Sequence, residues 1–255
     1  MKLGVEQPVI EQQSFITGLI KAEMKYYPIF LDIKNKNCLV VGGGNVGVRK
    51  AVTLDRCKAN VTVISDKFSP ELDNLKISSI NFTTKEYEQK DVKDMFFVFA
   101  ATDNANLNQK IKHDAAKLDI LCNIADSPDK SDFILPSIVE RGDLILAIST
   151  SGSSPAMAKK IRQELEHSFG PEYALFLTLM GNIRKELLLS GHAPDEHKQI
   201  FNTLINKGIL ELIKDNSEKT IDSILCDVLK KKYSYKNLVS TDYISTDHIY
   251  LGRDK

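Results

Sequence analysis

Residues 40–50 read VVGGGNVGVRK, and four of the chain's 13 glycines fall between Gly42 and Gly47. The apolar run in front, Asn37–Val41, reads as a strand, and Asn45–Cys57 behind it reads as a helix. Gly42, Gly44 and Gly47 make a G-x-G-x-x-G spacing at that junction. In such a junction the first glycine permits the tight turn, and the second lets the backbone approach a pyrophosphate. The third lets helix and strand pack closely, and the helix N-terminus offers free N–H groups to phosphate. Gly42, Gly43, Gly44, Asn45, Val46 and Gly47 are therefore expected to hold a dinucleotide. The rival explanation is a glycine turn needed only for packing.

The residues that follow fit the expectation. NVTVIS (60–65) reads as a second strand and ends at Asp66, 19 residues beyond Gly47. An acidic side chain there accepts hydrogen bonds from the adenosine ribose and repels a 2′-phosphate, which favours NAD over NADP. Lys67 beside it tempers that preference. Further strands are expected at Ile80–Thr84, Met95–Ala100 and Asp119–Ile124, with a helix over Asp103–Leu118. Strand and helix alternating in this way imply a parallel sheet with right-handed crossovers.

Beyond Asp126 the pattern changes. Phe133–Val139 and Leu144–Ser149 flank Glu140-Arg141-Gly142-Asp143 as a hairpin does. A serine-rich loop, STSGSSP, follows, then the helical run AMAKKIRQELEHSF with Pro155 suited to its first turn. Periodicity stays helical from Pro171 to about Leu229, broken near Gly191–Pro194 and Lys214–Ser217. The fold class is α/β: a Rossmann-type parallel sheet domain (26–132), a dimerisation segment (133–170) and a small helical C-terminal domain (171–230). An N-terminal extension (1–25) and a polar tail (231–255) complete the chain.

Composition narrows the partners. The formal net charge is zero, with 34 basic and 34 acidic residues, so nothing in bulk charge calls for nucleic acid or a membrane surface. Glu6, Gln7 and Pro8 stand where a signal peptide needs an apolar core, and the apolar runs are too short to span a bilayer. The four cysteines, Cys38, Cys57, Cys122 and Cys226, form no C-x-x-C pair and read as reduced, mostly buried thiols of a cytoplasmic protein. His113, His167, His192, His197 and His248 are scattered and read as surface residues, so no metal ligand set is expected.

Catalytic groups should lie at the carboxyl ends of strands, where the cofactor sits. Two stretches qualify. AATDNANLN (100–108) carries Thr102, assigned to cofactor binding. CNIADSPDKSDF (122–133) carries Asn123 and Asp126, within reach of a nicotinamide and its substrate. No Tyr-x-x-x-Lys pair is present. A partly buried Asp126 would suit a base that takes the proton accompanying hydride transfer. On the residues alone, capping of the Ser127–Lys130 turn is an equal reading. Ser149, Thr150, Ser151 and Ser153, with Lys159 on the next helix, form a candidate anion receptor beside a helix N-terminus. Ordinary capping beside a solvated basic face is the plainer alternative.

Together, YYPIFLDIKNKNCLVVGGGNVGVRK (26–50), FVFAATDNANLNQKI (97–111) and CNIADSPDKSDFILPSIVERGDLILAISTSGSSPAMAKKIRQELE (122–166) resemble the siroheme synthase N-terminal family. These are precorrin-2 dehydrogenases, in some members also sirohydrochlorin ferrochelatases. The resemblance is nearly collinear over about residues 26–188. It implies removal of two hydrogens from precorrin-2 with NAD to give sirohydrochlorin. It also implies a homodimer with an intertwined middle segment, and a helical domain over the tetrapyrrole cleft. A chelatase activity would make Fe(II) a substrate. The aspartate of the family's C-N-[IV]-x-D motif matches Asp126, its proton acceptor. Thr150 stands where members often carry a serine, which some of them phosphorylate. A reading of a different class, a non-catalytic NAD/NADH sensor, has no need of the serine-rich loop and basic helix.

Overall fold

The computed structural model describes residues 24–68, 79–190 and 194–240. Most of the expected N-terminal extension, the break at 191–193 and the tail from 241 onward lie outside them. The chain divides into two compact units, after Leu135.

The first unit is built on five parallel strands: β1 (Asn37–Gly43), β2 (Asn60–Phe68), β3 (Asn81–Thr84), β4 (Phe97–Ala100) and β5 (Leu121–Ile124). Their order is β3-β2-β1-β4-β5. β1 and β4 are almost wholly buried, because helices cover both faces of a parallel sheet. That is why they read as continuous apolar runs. α1 (Asn45–Arg56) packs Ala51 and Leu54 with Cys38, Val40, Val63 and Phe99 on one face. α2 (Ala105–Ala116) packs Ile111 and Ala115 with Leu39, Val41, Val98 and Cys122 on the other. At about 25 cal/mol per Å² of apolar area, each such Leu, Ile, Val or Phe side chain contributes about 2 kcal/mol.

Strand order reverses at β1, whose neighbours β2 and β4 are reached by connections running in opposite senses. The crevice at the carboxyl ends of β1 and β4 is thus where a ligand fits. β2 runs three residues past the expected Ser65, because Phe68 pairs with Gly43 beyond an irregularity in the ladder. α2 starts at Ala105 because the Asn104 side chain accepts the N–H groups of Asn106 and Leu107.

β5 lies at the edge of the sheet, and side chains seal it. Ser131 Oγ accepts the Ile124 N–H at 2.9 Å, and the Asp132 carboxylate accepts the Cys122 N–H at 2.8 Å. Lys112 pairs with Asp132. Phe133 then packs its ring against Phe97 and Phe99, with centroids 5.2 and 5.5 Å away. The expected boundary at 132 is accordingly too early, since Phe133 belongs to the core of the first unit.

The second unit begins at Pro136 with the antiparallel hairpin β6 (Ser137–Arg141) and β7 (Leu144–Ile148). Its turn is Gly142-Asp143 alone, with Gly142 at φ 59° against Ala174. Glu140 and Arg141, expected in the turn, belong to the strand. Arg141 is held there by donating to the carbonyls of Phe169 (2.7 Å) and Glu166 (3.0 Å). α3 (Pro155–Ser168) is capped by Ser154 Oγ, which accepts the Met157 N–H at 3.2 Å.

The remaining helices are α4 (Glu172–Leu189), α5 (Pro194–Asn206), α6 (Ile209–Lys214), α7 (Glu218–Leu229) and α8 (Tyr235–Leu238). Leu179, Ile183, Leu204, Ile209, Ile221 and Leu225 form their core. Gly208, at φ 70°, makes a break that the sequence reading passed over. The polar tail does not begin at 231. Tyr235 and Leu238 are buried, and Asn182 Nδ2 donates to the Leu238 carbonyl at 2.7 Å.

Candidate functional site

A crevice of about 850 Å³ opens at the carboxyl ends of β1, β2 and β4. Of the expected cofactor residues, Gly42, Gly43, Gly44, Asp66 and Thr102 line it. Asn45, Val46 and Gly47 form the first turn of α1 behind the glycine elbow.

The clustered glycines have different reasons to lack a side chain. Gly42 sits at φ 123°, and a Cβ on it would collide with the Ala101 carbonyl of the β4–α2 loop. A Cβ on Gly43 would lie 2.6 Å from the Lys67 carbonyl and 2.5 Å from the Phe68 ring. One on Gly47 would strike the Gly42 carbonyl. These three are needed for packing, so for them the packing explanation holds. Gly44 differs. Its φ of −77° suits any residue, and a Cβ there meets nothing within 4 Å. Protein packing therefore gives no reason for a glycine at 44, whereas a ligand filling that space does.

Gly44 is also the N-cap of α1, and no side chain caps the helix. The first turn of an α-helix leaves its N–H groups without intrahelical partners. No acidic residue stands in this turn to repel an anion. Bare N–H groups, the positive end of the helix dipole and free space together fit a diphosphate. At the far end of the crevice Asp66 is exposed and receives one long contact, from Ser65 Oγ at 3.5 Å. Its oxygens are available to ribose hydroxyls. Lys67 and Lys110 line the same crevice.

Thr102 is held by a residue the sequence reading missed. Asn108, buried on α2, accepts both the Thr102 N–H (3.2 Å) and its hydroxyl (2.7 Å), and donates to its carbonyl at 2.9 Å. The Thr102 hydroxyl also accepts the Asn104 N–H at 3.2 Å. Thr102 therefore offers a ligand chiefly its backbone. Asn108 lies six positions on in the same quoted stretch, but a buried amide clamp carries no periodic signal.

Asp126 follows β5 by two residues, with φ 59°, a left-handed conformation that Asp tolerates better than most residues. It is exposed, not partly buried, since the chain has already left the covered strand. Among the described residues its carboxylate makes no hydrogen bond, so it does not cap the turn. Pro128–Lys130 form a 3₁₀ turn without a side-chain cap. Asn123, on β5, is buried and donates to the Phe133 carbonyl at 2.9 Å. Its oxygen receives Lys50 Nζ at 3.3 Å. Lys50, from the second turn of α1, also lies over the Phe99 ring, 5.1 Å from its centroid. The sequence reading singled out no role for Lys50.

In the second unit the serine-rich loop is largely braced on itself. Thr150 Oγ1 accepts the Ser154 N–H and donates to the Ser154 carbonyl, both at 3.1 Å. Ser149 Oγ accepts the Ser151 N–H at 3.0 Å. Ser151, Ser153 and Lys159 are exposed. Among the described residues no cluster of three or more His, Cys, Asp or Glu side chains is placed to hold a metal ion. Nor, among them, is any helix long and apolar enough to cross a membrane.

Residues 29–137 match a family described as "Putative NAD(P)-binding", and residues 141–168 match the "Sirohaem biosynthesis protein central" family. The chain is thus similar to siroheme synthases over most of its own length. Among siroheme synthases, that of Ruthia magnifica subsp. Calyptogena magnifica is 38% identical over 167 residues, or 64% of this chain and 35% of the relative. That of Nitrosomonas europaea is 30% identical over 230 residues, or 89% and 47%. This chain thus spans less than half the length of the curated siroheme synthases it matches. A solved structure of SirC, precorrin-2 dehydrogenase, superposes with a TM-score of 0.69 at 25% identity, covering 81% of this chain and 100% of that one.

Proposed function

We propose that the protein is an NAD-dependent precorrin-2 dehydrogenase that forms sirohydrochlorin in siroheme biosynthesis. The single observation that carries this reading is an exposed carboxylate, Asp126, at the carboxyl edge of the sheet whose glycine elbow leaves open space at Gly44. The names of the similar proteins supply the substrate.

The N–H groups of Asn45, Val46 and Gly47 and the open face of Gly44 hold the diphosphate of NAD, and Asp66 takes the adenosine ribose. When bound, NAD supplies the hydride acceptor. Oxidation of precorrin-2 removes one hydride and one proton, so a base must take the proton. Asp126 is that base: it is exposed to solvent, and among the described residues it makes no hydrogen bond that it would first have to break. Asn123, buried and engaged by Lys50 and the Phe133 carbonyl, acts by shaping the strand end that carries Asp126. In the second unit Ser151, Ser153 and Lys159 expose hydroxyls and a cation of the kind that a carboxylate-rich substrate needs. Ser149 and Thr150 act by shaping that loop. The working form is a cytoplasmic homodimer.

The test is direct. The protein is mixed with NAD and precorrin-2 without oxygen, and NADH absorbance is followed with the sirohydrochlorin spectrum. Equimolar appearance of both is expected. NAD binding without turnover would favour a nucleotide sensor. Adding Fe(II) to preformed sirohydrochlorin assays the chelatase reaction separately.

A further inference from the structure

Three exposed acidic side chains line the cofactor crevice: Asp66, Asp103 and Glu86. Asp66 has its task at the ribose. Asp103 follows Thr102 on the loop against which Gly42 turns, so it stands at the diphosphate end. Glu86 stands on the other side of Asp66. The Lys85 N–H donates to the Ser65 carbonyl at 2.9 Å, which brings residues 85–87 against the end of β2.

The neighbours of Glu86 are committed elsewhere. Lys85 Nζ donates to Asp91 at 2.7 Å and to Glu88 at 3.3 Å. Tyr87 turns inward, and its hydroxyl donates to buried Asp114 at 3.2 Å. Among the described residues Glu86 makes neither a hydrogen bond nor an ion pair, and it lines the crevice. Beside it the wall is apolar and aromatic. Leu107 and Lys110, three apart on one face of α2, line the crevice with Tyr87, and Lys110 Nζ lies over the Tyr87 ring, 5.7 Å from its centroid. A lysine stem, a leucine and a ring give a planar base a surface to lie on, and the base's polar edge then needs a partner.

We infer that Glu86 reads the adenine of the cofactor: its carboxylate accepts the 6-amino N–H of a base lying against Tyr87, Leu107 and Lys110. This rests on the crevice being the NAD site. An ionised carboxylate only accepts, so it favours an amino group and opposes an oxygen in the same place. Adenine carries that amino donor, whereas hypoxanthine carries an oxygen there. The elbow and Asp66 meet the same diphosphate and ribose in both dinucleotides, so the comparison isolates the base.

The experiment is calorimetric titration of the full chain, wild type, E86A and E86Q, with NAD and with nicotinamide hypoxanthine dinucleotide. The wild type should bind NAD about tenfold more tightly. E86A should bring the ratio to about one by weakening NAD alone, because the other dinucleotide loses no contact. E86Q, whose amide both accepts and donates, should tighten the hypoxanthine dinucleotide several-fold, and it serves as the second variant should E86A not fold. A wild-type ratio near one overturns the inference, and so does an equal loss for both dinucleotides in E86A. Failure of the wild type to bind either one brings down the NAD reading itself.

Discussion

Asn108 grips Thr102 from three directions, taking its N–H and hydroxyl and giving an N–H to its carbonyl. The loop so held includes Ala101, whose carbonyl is the surface against which Gly42 turns. N108A should therefore cost stability and loosen the wall of the cofactor crevice at once. About 2–3 kcal/mol is expected from leaving buried backbone groups unpaired. Urea unfolding would measure that loss. Titration with NAD should show affinity about tenfold weaker.

Gly44 and Gly47 separate ligand space from packing space. G44A should fold as well as the wild type, because its Cβ meets no protein atom. Its NAD affinity should fall about tenfold or more, and G44D, adding charge, should bind worse still. G47A should do the reverse first: its Cβ presses on the Gly42 carbonyl, so a loss of about 1–3 kcal/mol is expected. Unchanged NAD binding by a folded G44D would sink the phosphate cradle.

Asp66 should set the choice between the two dinucleotides. D66N keeps the hydrogen bonds but removes the charge that repels a 2′-phosphate. With Lys67 and Lys110 lining the same crevice, the variant should gain affinity for NADP by about tenfold while losing little for NAD. An unaltered NADP to NAD ratio would place the ribose elsewhere.

The thiols make a prediction about alkaline pH. Burial pushes Cys38 and Cys122 up to about 11. A thiol with a raised folded value stabilises the fold fully below its ordinary value near 9. Above that the unfolded chain gains by ionising, so stability should fall between about pH 9 and 11. Urea midpoints across that window would show the decline. Cys57 and Cys226 are exposed, which corrects the expectation of mostly buried thiols. In the native state alkylation should therefore mark those two and spare Cys38 and Cys122.

The parallel sheet was legible because burial on both faces leaves apolar runs that nothing interrupts, as in Val40–Val41 and Phe97–Ala100. The elbow was legible because three of its glycines answer to close contacts within the protein, while the fourth, Gly44, faces open space. What escaped was made by side chains bonding to backbone. Asn108 on Thr102, and Ser131 with Asp132 on β5, follow no period, and each looks like an ordinary polar residue. Phe133 was placed with the hairpin because an apolar stretch follows it, yet its ring completes the first core. Tyr235 and Leu238 were lost among lysines and serines, since a short helix shows too few apolar positions to set a pattern. The burial of Asp126 was misjudged because a residue two places past a buried strand is already in water.

An edge strand ordinarily presents a row of unpaired donors to any extended chain that drifts past. Along β5 a hydroxyl and a carboxylate from a few residues downstream already fill those positions, with Lys112 locking the second in place. Foreign strands thus find no template on this flank, and crowded copies have one route fewer to fibrous precipitation. Removing that pair, in S131A and D132A, should bare the flank again and make concentrated protein more prone to aggregate.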